Sequence, residues 1–162
     1  MIGSSATDSA APLMRRGLLW LGILTSVGIV VELAVERHWT QGTQIIAWVA
    51  LAVTLVALAL AAWAASPNAV RVARILAVVV MVSALYGVWE HVESNYDAGE
   101  LDREYGDRWE SLPTSERWWL AVSKTVGPSP PLAPGALAQA ALCALLATAG
   151  RSPSTDPRRE PA

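Results

Sequence analysis

A chain of 162 residues has the length of one domain, and 53% hydrophobic with 16% charged residues does not by itself decide between water and lipid. A net charge of -2, with no basic block and no basic-aromatic stripe, gives no attraction for nucleic acid, so none is expected as a partner. The lone Cys143 cannot close an internal disulfide, which excludes dithiol redox chemistry and leaves the compartment undetermined.

Charges cluster and leave long stretches bare, and a span of about 30 Å of hydrocarbon needs about 20 apolar residues in a helix. Residues 1–16, rich in Ser, Ala and Gly in their first dozen, read as a flexible lead ending in Arg15 and Arg16. The first apolar run covers 17–36 and is interrupted only by Glu32. A cleaved signal peptide is the competing reading of this run. It is disfavoured because the run is long and ends in Glu32, Glu36 and Arg37 instead of small residues. The second run, 43–65, carries no charge; the third, 69–91, holds Arg71 and Arg74 in its opening turns, where they can snorkel to headgroups. The fourth, 132–149, is short, alanine-rich and opened by Pro134 and Gly135. Residues 150–162, rich in Pro, Ser and Arg, read as a flexible tail.

Lipid offers no partner to an unpaired peptide group, so each run is expected to be helical, and short connections make neighbours antiparallel. The predicted fold is all-α: an integral membrane four-helix bundle with short extramembrane helices between the third and fourth spans. Arg15 and Arg16 precede the first span, Arg71 and Arg74 sit at the second turnaround, and Arg151, Arg158 and Arg159 follow the fourth span, and the positive-inside rule assigns all three groups to the cytoplasm. Both termini are therefore expected inside the plasma (inner) membrane. The arginine-rich, phenylalanine-free composition suggests GC-rich coding and a bacterial source.

The outer segment, 92–131, collects the acidic residues. Tyr86, Glu90, Glu93 and Asp97 make one stripe if the third helix continues past the bilayer, and Gly99 is expected to end or bend it. Tyr105 and Trp109 form an i,i+4 pair on a short helix with alternating charges. Thr114 is the candidate cap of a further helix bearing Trp118 and Trp119. Two readings stand level for these aromatics: an interfacial surface open to lipid or a partner, or packing over the helix tops.

The chemistry-bearing constellation sits at the outer ends of the first and third spans. Glu32 and Glu36 share a helix face with His38 just beyond, and Glu90, His91 and Glu93 lie at matching depth. A carboxylate in apolar surroundings should face the bundle or water, and carboxylates with imidazoles from two helices can hold a divalent metal. The spacing matches no established ligand pattern, because Glu-x-x-His is absent, and headgroup-boundary residues paired with Arg37, Arg103 or Arg108 are the plainer reading. A bis-imidazole haem on His38 and His91, and acid-base catalysis by Glu90 with His91, have weaker support still. Gly22 with Ser26, and Ala57 with Ala61 and Ala65, mark close helix contacts or a homo-oligomer face, and Gln139 is expected to bond across an interface.

The leading functional expectation is a non-enzymatic accessory or interaction subunit. It would present the acidic, Trp-rich segment, with Tyr105, Trp109, Trp118 and Trp119 as interface residues, to another membrane or extracytoplasmic protein. The alternative, of a different class, is a divalent-metal or cation-binding or transport protein using Glu32, Glu36, Glu90, His91 and Glu93.

Overall fold

The computed structural model describes residues 4–40, 42–63 and 65–151, with side chains from residue 10 onward. Arg158, Arg159 and most of the expected tail lie outside the described residues. Among those described there is no strand, and the helices are α1 (Ser4–Val35), α2 (Ile45–Trp63), α3 (Pro67–Ala98), α4 (Thr114–Val122) and α5 (Ala133–Ala147). Three of them, within α1, α2 and α3, are long and apolar enough to cross a membrane.

α1 starts at Ser4 and so runs through most of the stretch expected to be loose; Ala, Leu, Met and Arg are good helix formers, and Pro12 is carried inside it. Its other end closes without glycine. Arg37 takes a left-handed φ of 50°, the His38 amide donates to Leu33 O at 2.9 Å and the Arg37 amide to Ala34 O at 3.2 Å, the two bonds of a Schellman cap. α3 opens on Ser66, whose hydroxyl accepts from the Ala69 amide, with Pro67 in the first turn. It continues to Ala98, and at about 1.5 Å per residue its 32 residues are longer than a hydrocarbon layer of about 30 Å is thick.

α5, the shortest of the four apolar helices, is the one around which the others gather: it packs on α1, α2 and α3, and α2 packs on both α1 and α3. Ala140, Ala141 and Ala144 of α5 are fully buried, as are Ala57 and Ala61 of α2 and Ala77 of α3. Small side chains let these backbones approach closely, which is how helices associate where solvent supplies no hydrophobic drive. Gly22 and Ser26 belong to the same seam, since a Cβ on Gly22 would meet Leu58 Cδ2 at 2.7 Å and Cys143 Cβ at 3.3 Å. Those small residues therefore serve contacts within the chain. Ala65 and Gln139, expected at interfaces, are exposed.

The outward faces are oily. Leu24, Val27, Val31, Val49, Val56, Val72, Val79, Val82 and Leu85 are all exposed, and the most apolar windows of α1, α2 and α3 are only 17%, 33% and 22% buried. An apolar exterior this continuous is what lipid solvates and water does not. Polar groups inside are satisfied locally: Ser26 donates to Gly22 O and Thr54 to Ala50 O, both at 2.8 Å.

One end of the assembly is held by arginines. Arg15 donates to Ala61 O and Ala62 O at 2.6 and 3.1 Å, and Arg74 to Thr148 Oγ1 and O at 3.0 and 2.7 Å. These carbonyls end α2 and follow α5, where a helix has no donor of its own. At the other end, residues 99–131 fold back on α3. Trp109, 2% exposed, centres a small core with Val92, Leu120, Ala121 and Val126.

Gly99 ends α3 as expected, though with an ordinary right-handed φ of -60°. It is small because a Cβ there would fall on the Trp109 indole. The buried Asn95 clasps the returning chain, donating to Ala121 O at 3.2 Å and Ser129 O at 2.7 Å and accepting from the Ser129 amide at 2.9 Å. Gly127, at φ +78°, lies so close that a Cβ would stand 2.6 Å from Asn95 Cα.

Candidate functional site

A cavity of about 460 Å³ opens at the end opposite the arginines, where α1, α2 and α3 meet the stretch leading into α5. Four of the five residues expected to form a metal site line it: Glu32 and Glu36 from α1 and the turn after it, and Glu90 and His91 from α3. His38 joins them. Glu93 does not line it and is exposed on α3. Tyr86, Ser83, Ser94, Thr43, Gln44 and Ser129 complete the polar wall. Ile29, Leu33, Ile46, Ala50, Ala84 and Leu137 supply an apolar one.

The positions follow from helix geometry. Ile29, Glu32, Leu33 and Glu36 recur at three- and four-residue spacing and so share one face of α1; Ser83, Gly87, Glu90, His91 and Ser94 do the same on α3. Depth also follows. Ile29 and Ala50 lie a turn or more inside Glu36 and Thr43, which puts an oily floor beneath an acidic mouth.

Among the described residues no lysine or arginine lines the cavity. The pairings expected with Arg37, Arg103 or Arg108 do not form: among the described residues the ion pair within 4 Å is Arg117 with Glu110, at 3.7 Å. Tyr86 stands one helical turn from Glu90 on the same wall. The His91 ring meets Pro130 O at 2.8 Å through Nδ1. A carbonyl can only accept, so Nδ1 carries a proton and the neutral ring keeps its lone pair on Nε2.

Burial, and then the neighbouring His91, push His38 below its ordinary value, with Glu36 and Glu32 pulling the other way. His38 therefore favours its neutral form near pH 7, on the same wall as the Glu32, Glu36 and Glu90 side chains. His38 is held by its backbone too, its carbonyl accepting from Trp48 Nε1 at 2.8 Å.

The metal reading gains little from this arrangement. Among the described residues no group of three or more His, Cys, Asp or Glu side chains stands close enough together to hold an ion. The expected haem pair, His38 and His91, shares a cavity, and the bond to Pro130 engages Nδ1 of His91 and not Nε2.

The four expected interface aromatics separate. Trp109 is buried and is removed from any partner in this structure. Trp118 stacks on Trp89 at 5.5 Å and tilts against Tyr96 at 4.5 Å, while Tyr96 meets Trp109 edge-on at 5.4 Å. Tyr105 packs partly into the same small core under the Arg108 guanidinium. Trp119 alone of the four stands out, 68% exposed.

Sequence reasoning missed the roof. Asn95, Ser129 and Pro130 hold the connector over the cavity through contacts more than thirty positions apart in the chain, and no local pattern signals them. A more open hollow of about 490 Å³ beside Asp102, Arg103 and Pro128 is a surface groove of mixed charge.

No family model, no curated protein and no solved structure matches this chain.

Proposed function

We propose that this is a four-span membrane protein of the plasma (inner) membrane that binds a small organic cation in the cavity beneath its outer segment. α1, α2, α3 and α5 alternate in direction, both termini face the cytoplasm, and Val92 to Pro131 lie outside. Arg15 and Glu32 are 17 positions apart on α1, and Arg74 and Glu90 are 16 apart on α3; both separations come to about 25 Å, close to the thickness of the hydrocarbon layer. Arginines at one end and carboxylates at the other fit the positive-inside rule. At 15 residues α5 is about 22 Å long; surrounded by three helices, it has little need to match the lipid.

The observation that carries the ligand reading is the lining itself: Glu32, Glu36 and Glu90, no basic side chain, and an apolar floor. Carboxylates attract any cation, but the floor offers a metal ion nothing and an alkyl group much. The volume suits a compact amine. The test is calorimetric titration of protein in lipid nanodiscs with hexylammonium, tetraethylammonium and neutral hexanol. Saturable binding of the cations alone is expected, weakened about tenfold in Glu90→Gln. Equal uptake of hexanol, or full affinity in a Glu32→Gln, Glu36→Gln, Glu90→Gln variant, would sink the reading.

A second reading, an interaction subunit, is favoured by one feature: Trp119 lies exposed on α4 beside a face of exposed carboxylates that includes Glu110 and Glu116. Photo-crosslinking from position 119 in cells tests it. Adducts with lipid alone would leave the interfacial role and remove the subunit one.

A further inference from the structure

The cavity beneath the connector is rich in hydrogen-bond acceptors and poor in aromatic faces. Glu32 and Glu36 come from α1 and the turn after it, and Ser83, Tyr86, Glu90 and Ser94 from α3. Each of these side chains carries an oxygen that can accept. α1 and α3 meet mainly through α2 and α5, so the oxygens stand on two sides of the cavity. The chain has 8 tryptophans and 3 tyrosines, yet among the described residues Tyr86 is the one that lines it.

That contrast separates two kinds of organic cation. A quaternary ammonium has no N–H to donate and is recognised by aromatic faces that surround it; one tyrosine makes no such cage. A primary ammonium carries three N–H donors and needs acceptors. Among the described residues no three acidic, histidine or cysteine side chains stand together as a metal demands, but an ammonium takes hydroxyl oxygens as partners too, at about 2.9 Å.

His91 adds an acceptor whose state is fixed by the fold. Its Nδ1 donates to Pro130 O at 2.8 Å, which holds the ring and leaves the lone pair of the neutral imidazole on Nε2. Pro130 is itself held in place. Between Pro128 and Pro131 the single backbone N–H belongs to Ser129, and it donates to Asn95 Oδ1 at 2.9 Å. The connector thereby sets which nitrogen of His91 can accept from a ligand.

We propose that, granted the cation-binding reading of this cavity, the site is selective for primary over quaternary alkylammonium ions, with His91 as a specificity-determining residue that accepts an N–H through Nε2. Calorimetric titration of the full chain in nanodiscs at about pH 7.5 compares hexylammonium with hexyltrimethylammonium, which share a chain and a charge and differ in N–H donors. The methylated head has more apolar surface and a weaker hydration shell, so a cavity offering only charge and oil would favour it. The expected result is the reverse, with hexylammonium bound about tenfold tighter.

His91→Gln, whose amide oxygen can accept, should keep most of that preference, and His91→Phe should abolish it. Equal affinities in the wild-type chain, or tighter binding of hexyltrimethylammonium, would overturn the selectivity and leave the cation reading standing. Absence of saturable binding of either ion would remove both. A His91→Phe chain that kept the full preference would overturn the role of His91.

Discussion

Arg37 and Lys124 carry φ values of 50° and 56°, a region that costs a side-chain-bearing residue about 1 kcal/mol or more. Both follow a helix and donate in the Schellman pattern; for Lys124 the bonds are Thr125 N to Leu120 O at 2.9 Å and Lys124 N to Ala121 O at 3.3 Å. A cation in this place is offset in part by the negative end of the helix. The comparison that isolates the strain is Arg37→Gly against Arg37→Ala, since both remove the charge. Glycine is expected to be the more stable by about 1 kcal/mol in thermal unfolding in mild detergent; equal midpoints would show that the turn is unstrained.

The same scale sets the pH response. His38 sits below its ordinary value of 6.5 in the folded chain, so the unfolded chain binds the proton more readily. Its contribution to stability is whole above pH 6.5 and declines as pH falls through that value and then through the lower folded one. The groups facing it are His91, Glu36 and Glu32. Acidification also adds positive charge to the cavity, so cation binding should weaken from pH 7.5 to 5.5. His38→Gln is expected to flatten both trends. An unchanged slope would place the proton elsewhere.

At the scale of elements, the segment 99–131 is an annex to α3 and not a free loop. The clasp at Asn95 and the glycine at 127 fix its return, and Gly127→Ala introduces both a forbidden φ and a clash with Asn95. Faster trypsin cleavage at Arg103, Arg108 and Lys124 is expected in Gly127→Ala and Asn95→Ala, by at least the factor of about ten that roughly 1.4 kcal/mol of local stability represents. Cleavage at wild-type rates would mean that the small core around Trp109 holds without the clasp. For α5 the expectation is overpacking: Ala141→Leu should cost about 1 to 3 kcal/mol because Ala141 has no exposed surface and lies in the core that α1, α2, α3 and α5 share. A neutral result in unfolding experiments would deny α5 its central place.

These two elements also mark what the sequence could and could not reveal. α1, α2 and α3 were legible because long uncharged runs have one solution in lipid. α5 read as the weakest run for the same reason that it is the best packed, since alanines that permit close contact carry little hydrophobicity. The shared faces of Glu32 with Glu36 and of Glu90 with His91 were visible from helical spacing, and so was their common depth. The burial of Trp109 was not, because it depends on Asn95 and Gly99 meeting a chain that returns from far along the sequence. Thr114, the expected cap, is the first residue inside α4, with Pro113 in the capping position.

Over the whole molecule the charge layout makes a directional statement that chemistry can check. Single cysteines at Glu100 and Arg71, in a Cys143→Ala background, should react with a membrane-impermeant maleimide from opposite sides of intact cells, position 100 from outside. Labelling of both from one side would overturn the proposed topology. Extraction should require detergent, as the oily exteriors of α1, α2 and α3 demand.

The central position of α5 bears on how the protein is made. It follows α1, α2 and α3 in chain order, so in the proposed four-span topology they enter the bilayer before the helix that joins them exists. α1 and α3 meet mainly through α2 and α5, which leaves the early intermediate a loose trio with its alanine seam open to lipid. Completion of the fold therefore waits on the final insertion event, and chains stopped before residue 133 should present themselves to membrane proteases as orphans.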